Sequence, residues 1–182
     1  MGSVAVGDEI KEGMAETVGD LRNLGVGRIV MLTGDLEIEA EKIGREAGLD
    51  GWKAHLLPED KLAELERLSA ETEGGTVLFA GDGINDAPVI ARADVGVAMG
   101  LRGQDAAVET ADVVVMNDSP AKVADSIRLA KKTRRIVVEN IAFALAVKAA
   151  FLAAGGFGLA GMWEAVVADV GVALVAVANS LR

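Results

Sequence analysis

The sequence predicts an α/β domain with a mostly parallel, Rossmann-like sheet, followed by an all-α hairpin long enough to cross a membrane. Three observations predict it. Short apolar runs alternate with amphipathic stretches through residues 1–135, the pattern of a sheet with helices on its faces. Two loops rich in Gly and Asp follow two of those runs. Near Arg135 the composition changes abruptly, and residues 136–182 keep only five charged side chains among long stretches of Ala, Val, Leu, Phe and Gly.

In chain order, residues 28–32 (RIVML) read as a buried strand, 36–47 and 59–70 as helices, and 76–80 (TVLFA) as a second strand. Residues 95–98 and 113–116 read as further short strands. In open parallel sheets ligands bind beyond the carboxyl ends of the strands. The two loops sit there. After RIVML comes Thr33-Gly34-Asp35, with a hydroxyl and backbone amides where a helix begins, a position that favours anions. After TVLFA comes Gly81-Asp82-Gly83-Ile84-Asn85-Asp86-Ala87-Pro88. Its glycines let backbone approach a ligand, and Asp82 and Asp86 offer hard oxygen ligands suited to Mg²⁺. Between the loops lies Leu57-Pro58-Glu59-Asp60-Lys61, whose lysine can set a fixed positive charge against a phosphoryl group. Together these segments point to metal-assisted phosphoryl chemistry. Thr33-Gly34-Asp35 alone also fits a turn with a helix cap, and Lys61 alone fits a solvated helix surface. The octapeptide has few purely structural explanations.

Net charge is −10, of which residues 1–135 carry −9, from 16 basic against 25 acidic side chains. An acidic domain with few aromatics lacks the basic patch that nucleic acid requires, so DNA and RNA are excluded as partners. The chain has no cysteine, hence no disulfide and no thiolate ligand of its own. Asp8, Glu9 and Lys11 occupy the place where a secretion signal would have its apolar core.

The second segment divides into residues 136–155 and 162–180, joined by a short glycine-rich link. Twenty helical residues span roughly 30 Å, the thickness of the hydrocarbon core. Lys131, Lys132, Arg134 and Arg135 precede the first stretch and Arg182 follows the second, so both outer ends are expected on the cytoplasmic side, with the soluble part. Trp163 and Glu164 then fall near the opposite interface. Ionisable residues within a bilayer mark ion pathways. Lys148 lies thirteen residues after Arg135 and Asp169 thirteen before Arg182, which places them at similar depth on antiparallel helices. They can simply neutralise one another, or Asp169 can ligate a divalent ion with Lys148 as its counter-charge.

GDGINDAP (81–88), TGD (33–35) and PEDK (58–61), in this order and spacing, resemble the phosphorylation-domain and hinge motifs of P-type ATPases, which have the haloacid-dehalogenase-like fold. The resemblance implies that Asp82 ligates Mg²⁺ with support from Asp86, and that Thr33, Gly34, Lys61 and Asn85 hold the phosphoryl group, with Asp35 closing the first motif. Residues 8–11 and 93–100 look like heavy-metal pumps as well. Asn140 with Lys148, and WEAVVADVG (163–171) followed by NSLR (179–182), resemble the last two helices of the zinc, cadmium and lead exporters. The Met and Ser pattern of copper pumps is absent. Trp52 and His55 are expected to be structural.

The family's nucleophile stands in Asp-Lys-Thr-Gly-Thr, and no Asp here is followed by Lys-Thr-Gly. The chain is accordingly expected to be the C-terminal portion of an ATP-driven exporter of Zn²⁺, Cd²⁺ or Pb²⁺ that is inactive alone: a fragment, a truncated frame or half of a split pump, with ATP bound by an upstream domain. A membrane-anchored Mg²⁺- or metal-binding accessory module is the alternative. A soluble phosphatase is disfavoured by the missing nucleophile and the apolar hairpin. In the resembling fold the nucleophile strand lies between RIVML and TVLFA. Without it these two strands are expected to pair directly, with residues 4–6 or a second chain as the other fillers of the gap.

Overall fold

The computed structural model describes residues 11, 13–72, 74–81, 85–100, 109–117, 119–158 and 161–181. It divides into two compact units, Met1–Ser126 and Ile127–Arg182. In the first unit the elements run α1 (Met14–Asn23), β1 (Val30–Leu32), α2 (Glu37–Ala47), β2 (Gly51–Lys53), α3 (Pro58–Glu71), β3 (Leu78–Gly81), α4 (Ala87–Arg92), β4 (Val95–Met99) and β5 (Val113–Val115). Helix α5 (Ala121–Gly156) leads into the second unit, where α6 (Met162–Ser180) follows.

All described pairings are parallel. One sheet joins β1 to β2, and the other has the order β3-β4-β5. Each pairing starts with the same device. Asp50, Asp94 and Asp112 stand one residue before β2, β4 and β5, and their carboxylates accept 2.8 Å hydrogen bonds from the backbone N–H of Ile29 and Val77, just before β1 and β3, and of Gly96 in β4. A carboxylate on a backbone N–H fixes register at the strand's first rung, where a slip of one residue would turn every side chain to the wrong face. Asp50 is also held by Arg22, at 2.8 Å. The Ile29 N–H and then the Arg22 guanidinium keep the Asp50 carboxyl below its usual range. Stability from a depressed carboxyl is present above its unfolded value and lost as pH falls through that value towards the folded one. The penalty of Asp50→Asn in urea unfolding should therefore be clear at pH 7 and fade below about pH 4.

The tightest packing lies between α4 and the second sheet, where Val89, Ile90 and Val97 are fully buried, with Phe79, Ala87 and Ala111 packed against Ile90 and Ala98. Gly96 is required there, because a Cβ on it would sit 2.4 Å from the Ile90 carbonyl oxygen. In the first sheet Trp52 lies on α2 over Gly44 and donates a 3.0 Å hydrogen bond from Nε1 to Glu37.

Two sequence expectations change. Strand β1 is half-buried rather than buried, since β2 is its single described neighbour. Direct pairing of RIVML with TVLFA does not occur: β1 bonds β2, β3 bonds β4, and the two sheets stay separate. What joins them is helical, since α3 from the first sheet packs on α4 from the second. The expected first span at 136–155 is the latter part of one continuous helix of 36 residues. Residues 4–6, the alternative gap fillers, lie outside the described residues.

Candidate functional site

Lys61 and Asp86 meet between these helices. Leu57 is extended (φ −75°, ψ 163°), Pro58 opens the helix, and the Asp60 carboxylate turns back to accept a 3.0 Å hydrogen bond from the Leu57 N–H. Proline is pre-set for this place and the acidic side chain satisfies an amide that the helix cannot. Lys61 is thereby fixed in the first turn of α3. Its Nζ lies 2.8 Å from Asp86 Oδ1, with the two side chains only 16 % and 11 % exposed. Asp86 precedes α4, whose Val89 and Ile90 amides donate to its carbonyl at 2.9 and 2.8 Å. Its other carboxylate oxygen lies 2.9 Å from where a Gly81 Cβ would be, so the last residue of β3 must be glycine for the carboxylate to sit against the strand end.

The Thr33-Gly34-Asp35 turn is seated on the segment that leads to Lys61. The Thr33 N–H donates to the Lys53 carbonyl at 2.9 Å, the Leu56 N–H to Thr33 at 3.0 Å, and the His55 N–H to Asp35 at 3.0 Å. His55 takes up φ 56°, unusual for a non-glycine residue, to reach this position. Thr33 Oγ1 donates to the Asp35 carboxylate at 2.5 Å and accepts from the Asp35 N–H at 3.2 Å, leaving Gly34 and Asp35 exposed at the strand end. A Cβ at Gly34 would crowd the Leu56 carbonyl, at 3.3 Å. Asn85 is exposed in the turn before α4. Asp82 lies outside the described residues, as do Gly83 and Ile84. The structure thus brings Lys61 onto Asp86 and couples the first turn to the Lys61 segment through backbone. The parts played by Asp60 and Gly81 were missed by sequence reasoning, although an acid three residues after the residue preceding a helix-opening proline signals the first.

In the second unit α5 and α6 form a helical hairpin. Helix α5 is long and apolar enough to cross a membrane, and its apolar stretch is unburied. Lys148 Nζ lies 3.3 Å from Asp169 Oδ1, each side chain 69 % exposed, beside a groove of about 420 Å³ walled by Val147, Phe151 and Val166. Nearer the Ser180 end, Asn140, Ala176, Asn179 and Ser180 form one hydrogen-bonded cluster. Glu164 accepts from the Gly161 N–H at 3.0 Å and caps α6, while Trp163 is 80 % exposed. Among the described residues no three His, Asp or Glu side chains cluster as a metal site.

This architecture, helices packed on parallel strands with Asp and Lys at their carboxyl ends, agrees with a family comparison: the profile of haloacid dehalogenase-like hydrolases matches residues 1–94. The chain belongs to that family. Within the haloacid dehalogenase-like hydrolases, it is similar along its whole length to heavy-metal ATPases. It is 56 % identical over 181 residues to a zinc-transporting ATPase of Synechocystis sp., covering all of this chain and 25 % of that one. It is 55 % identical over 182 residues to a cadmium, zinc and cobalt-transporting ATPase of Bacillus subtilis, covering 26 % of it. The crystal structure of a zinc-transporting PIB-type ATPase in its E2.Pi state matches with a TM-score of 0.87 and 39 % identity, over 97 % of this chain and 28 % of that one. The chain spans about a quarter of the length of the curated relatives it matches.

Proposed function

We propose that this chain is the C-terminal portion of an ATP-driven P-type exporter of divalent heavy metals, with Zn²⁺ and Cd²⁺ as cargo and Pb²⁺ in the same chemical class. The observation that carries the reading is unbroken similarity to metal-transporting ATPases through both the Lys61–Asp86 site and the Lys148–Asp169 pair. In this reading ATP and the phosphorylated aspartate come from a part of the pump outside these 182 residues. That part is either upstream in the same protein or a separate partner.

The residues fit Mg²⁺, since Asp86 places a buried carboxylate against the glycine that ends β3. Asp82 and Asp86 would hold the ion, which neutralises charge on a phosphoryl group when bound. Lys61, fixed by the start of α3, supplies a preorganised positive charge beside it. Thr33, Gly34 and Asn85, exposed or half-exposed at strand ends, orient phosphoryl oxygens. In the hairpin, Asp169 is the hard ligand for the cargo and Lys148 takes its place when the ion leaves, so the carboxylate is never left without a cation. Both helices cross the membrane, with the basic residues from Lys131 to Arg135 holding the first unit in the cytoplasm.

The test is a chimera in which these 182 residues replace their counterpart in the Synechocystis pump, expressed in a host without zinc exporters. It should restore zinc tolerance and form a hydroxylamine-sensitive phosphoenzyme from ATP, whereas the isolated chain should form none. Asp82→Asn should raise the Mg²⁺ requirement and cut phosphorylation. Asp169→Asn should abolish transport while phosphorylation from inorganic phosphate persists. Identical defects in the two variants would contradict the assignment.

A further inference from the structure

The two long helices meet through side chains at two levels. At one, Lys148 and Asp169 pair loosely in an exposed position. At the other, the contacts are denser, and those joining Asn140 to Ala176 and Asn179 are half-buried. Asn140 Nδ2 donates to the Ala176 carbonyl at 3.2 Å and to Ser180 Oγ at 3.0 Å, Asn179 Nδ2 donates to Asn140 Oδ1 at 2.8 Å, and Ser180 Oγ donates to Ala176 at 2.8 Å. The Asn140 amide thus uses its oxygen and its nitrogen across the hairpin.

We infer that Asn140, Asn179 and Ser180 form a register clamp that positions Asp169 against Lys148. The two levels belong to one antiparallel alignment. Asn140 precedes Lys148 by eight residues, roughly 12 Å of helix, and Asp169 precedes Ala176 and Asn179 by seven and ten, roughly 10 to 15 Å. Between them the sequence is apolar on both helices, IAFALAV (141–147) and VGVALV (170–175), and offers no polar partner that singles out one register. Apolar packing between helices in lipid therefore selects register weakly, while an interhelical amide has partners in one register only. A slide of one residue moves a side chain by about 1.5 Å and turns it by about 100°, enough to aim Asp169 away from Lys148. The ion pair cannot hold the register throughout, since under the proposed function it must break when cargo binds. The inference rests on that reading for its consequence, but its geometry stands apart from it.

The chain has no cysteine, so introduced ones are unique. In the 182-residue chain in lipid nanodiscs, Lys148→Cys with Asp169→Cys should cross-link efficiently through a short bis-methanethiosulfonate reagent. Adding Asn140→Ala should lower that yield about fivefold and spread it to Cys placed at 168 or 170, because register is no longer selected. Asn140→Ser with Ser180→Asn, which carries the amide across the hairpin, should recover it. An unchanged pattern in Asn140→Ala, or a loss that the exchange variant does not recover, overturns the inference. In the chimeric pump, Asn140→Ala should raise the zinc KM more than it lowers kcat, and the exchange variant should restore KM. Equal loss in both parameters would overturn a positioning role. A chimera that does not transport at all would count against the proposed function and leave the cross-linking result to decide the clamp.

Discussion

Gly96→Ala is expected to destabilise the first unit by about 3 kcal/mol, the upper part of the range for overpacking a well-filled core. One methyl group is added, and it has nowhere to go. Its carbon would lie 2.4 Å from the Ile90 carbonyl oxygen and 2.7 Å from Ile90 Cγ2, and Ile90 is itself 1 % exposed in the turn of α4 that follows the Asp86 loop. A flexible side-chain tip could swing aside, but a backbone carbonyl in a helix can move only with the helix. Relief therefore requires α4 to lift from β4, which also draws Asp86 away from Lys61. Gly51→Ala is the control, since a Cβ there meets nothing within 4 Å and the substitution should be close to neutral or mildly stabilising. Urea unfolding followed by Trp52 fluorescence, in a Trp163→Phe background, reads both. A Gly96→Ala midpoint equal to that of the parent would show that α4 is not packed as described.

Lys61→Met should cost about 3 kcal/mol, because it leaves the Asp86 carboxylate enclosed without its cation. The pair is among the least exposed of the described ion pairs, with both side chains below one fifth exposure, so solvent screening cannot excuse the loss as it would for Arg45–Glu41 or Lys122–Asp125. Lys61→Met combined with Asp86→Leu should recover much of the stability, since replacing both charges with apolar groups removes the uncompensated one. Phosphoenzyme formation in the chimeric pump should stay low in the double variant. Stability and chemistry would then separate at the same two residues. If Lys61→Met were neutral for unfolding, the 2.8 Å contact would be incidental.

Much of this site could be read from the chain because its parts are local. Gly81 ends β3 and opens its motif, Thr33 to Asp35 follows β1 directly, and a loop at a strand's carboxyl end needs no tertiary knowledge to be noticed. What was not legible depends on distant partners. Strand β2 is three residues long, too short to show alternation, and exists because β1 and the Asp50 carboxylate hold it. Helix α1 carries Gly19 mid-helix and buries only Thr17 and Val18 among its described residues, a pattern with little periodic signal. Helix α4 spans six residues and reads as the tail of the loop. The charged stretch 121–135 reads as a boundary from composition, yet its Ala, Leu, Lys and Arg residues are good helix formers and α5 simply runs through it. Direct closure of RIVML on TVLFA was expected by considering strands alone. The contact between α3 and α4, with Lys61 reaching Asp86, supplies a link between the sheets that the strands do not.

The three aspartates at the beginnings of β2, β4 and β5 give the first unit a mechanical polarity. Each strand resembles a cantilever, clamped at its root by a carboxylate, while towards its tip the pairing rests on backbone bonds alone. The Asp86 carboxylate, just past the tip of β3, faces a lysine on a helix instead of an adjoining strand. Under the proposed function, Lys61 and Asp86 thus meet at the end of the beams that no carboxylate clamps, and a shift there leaves the roots in register.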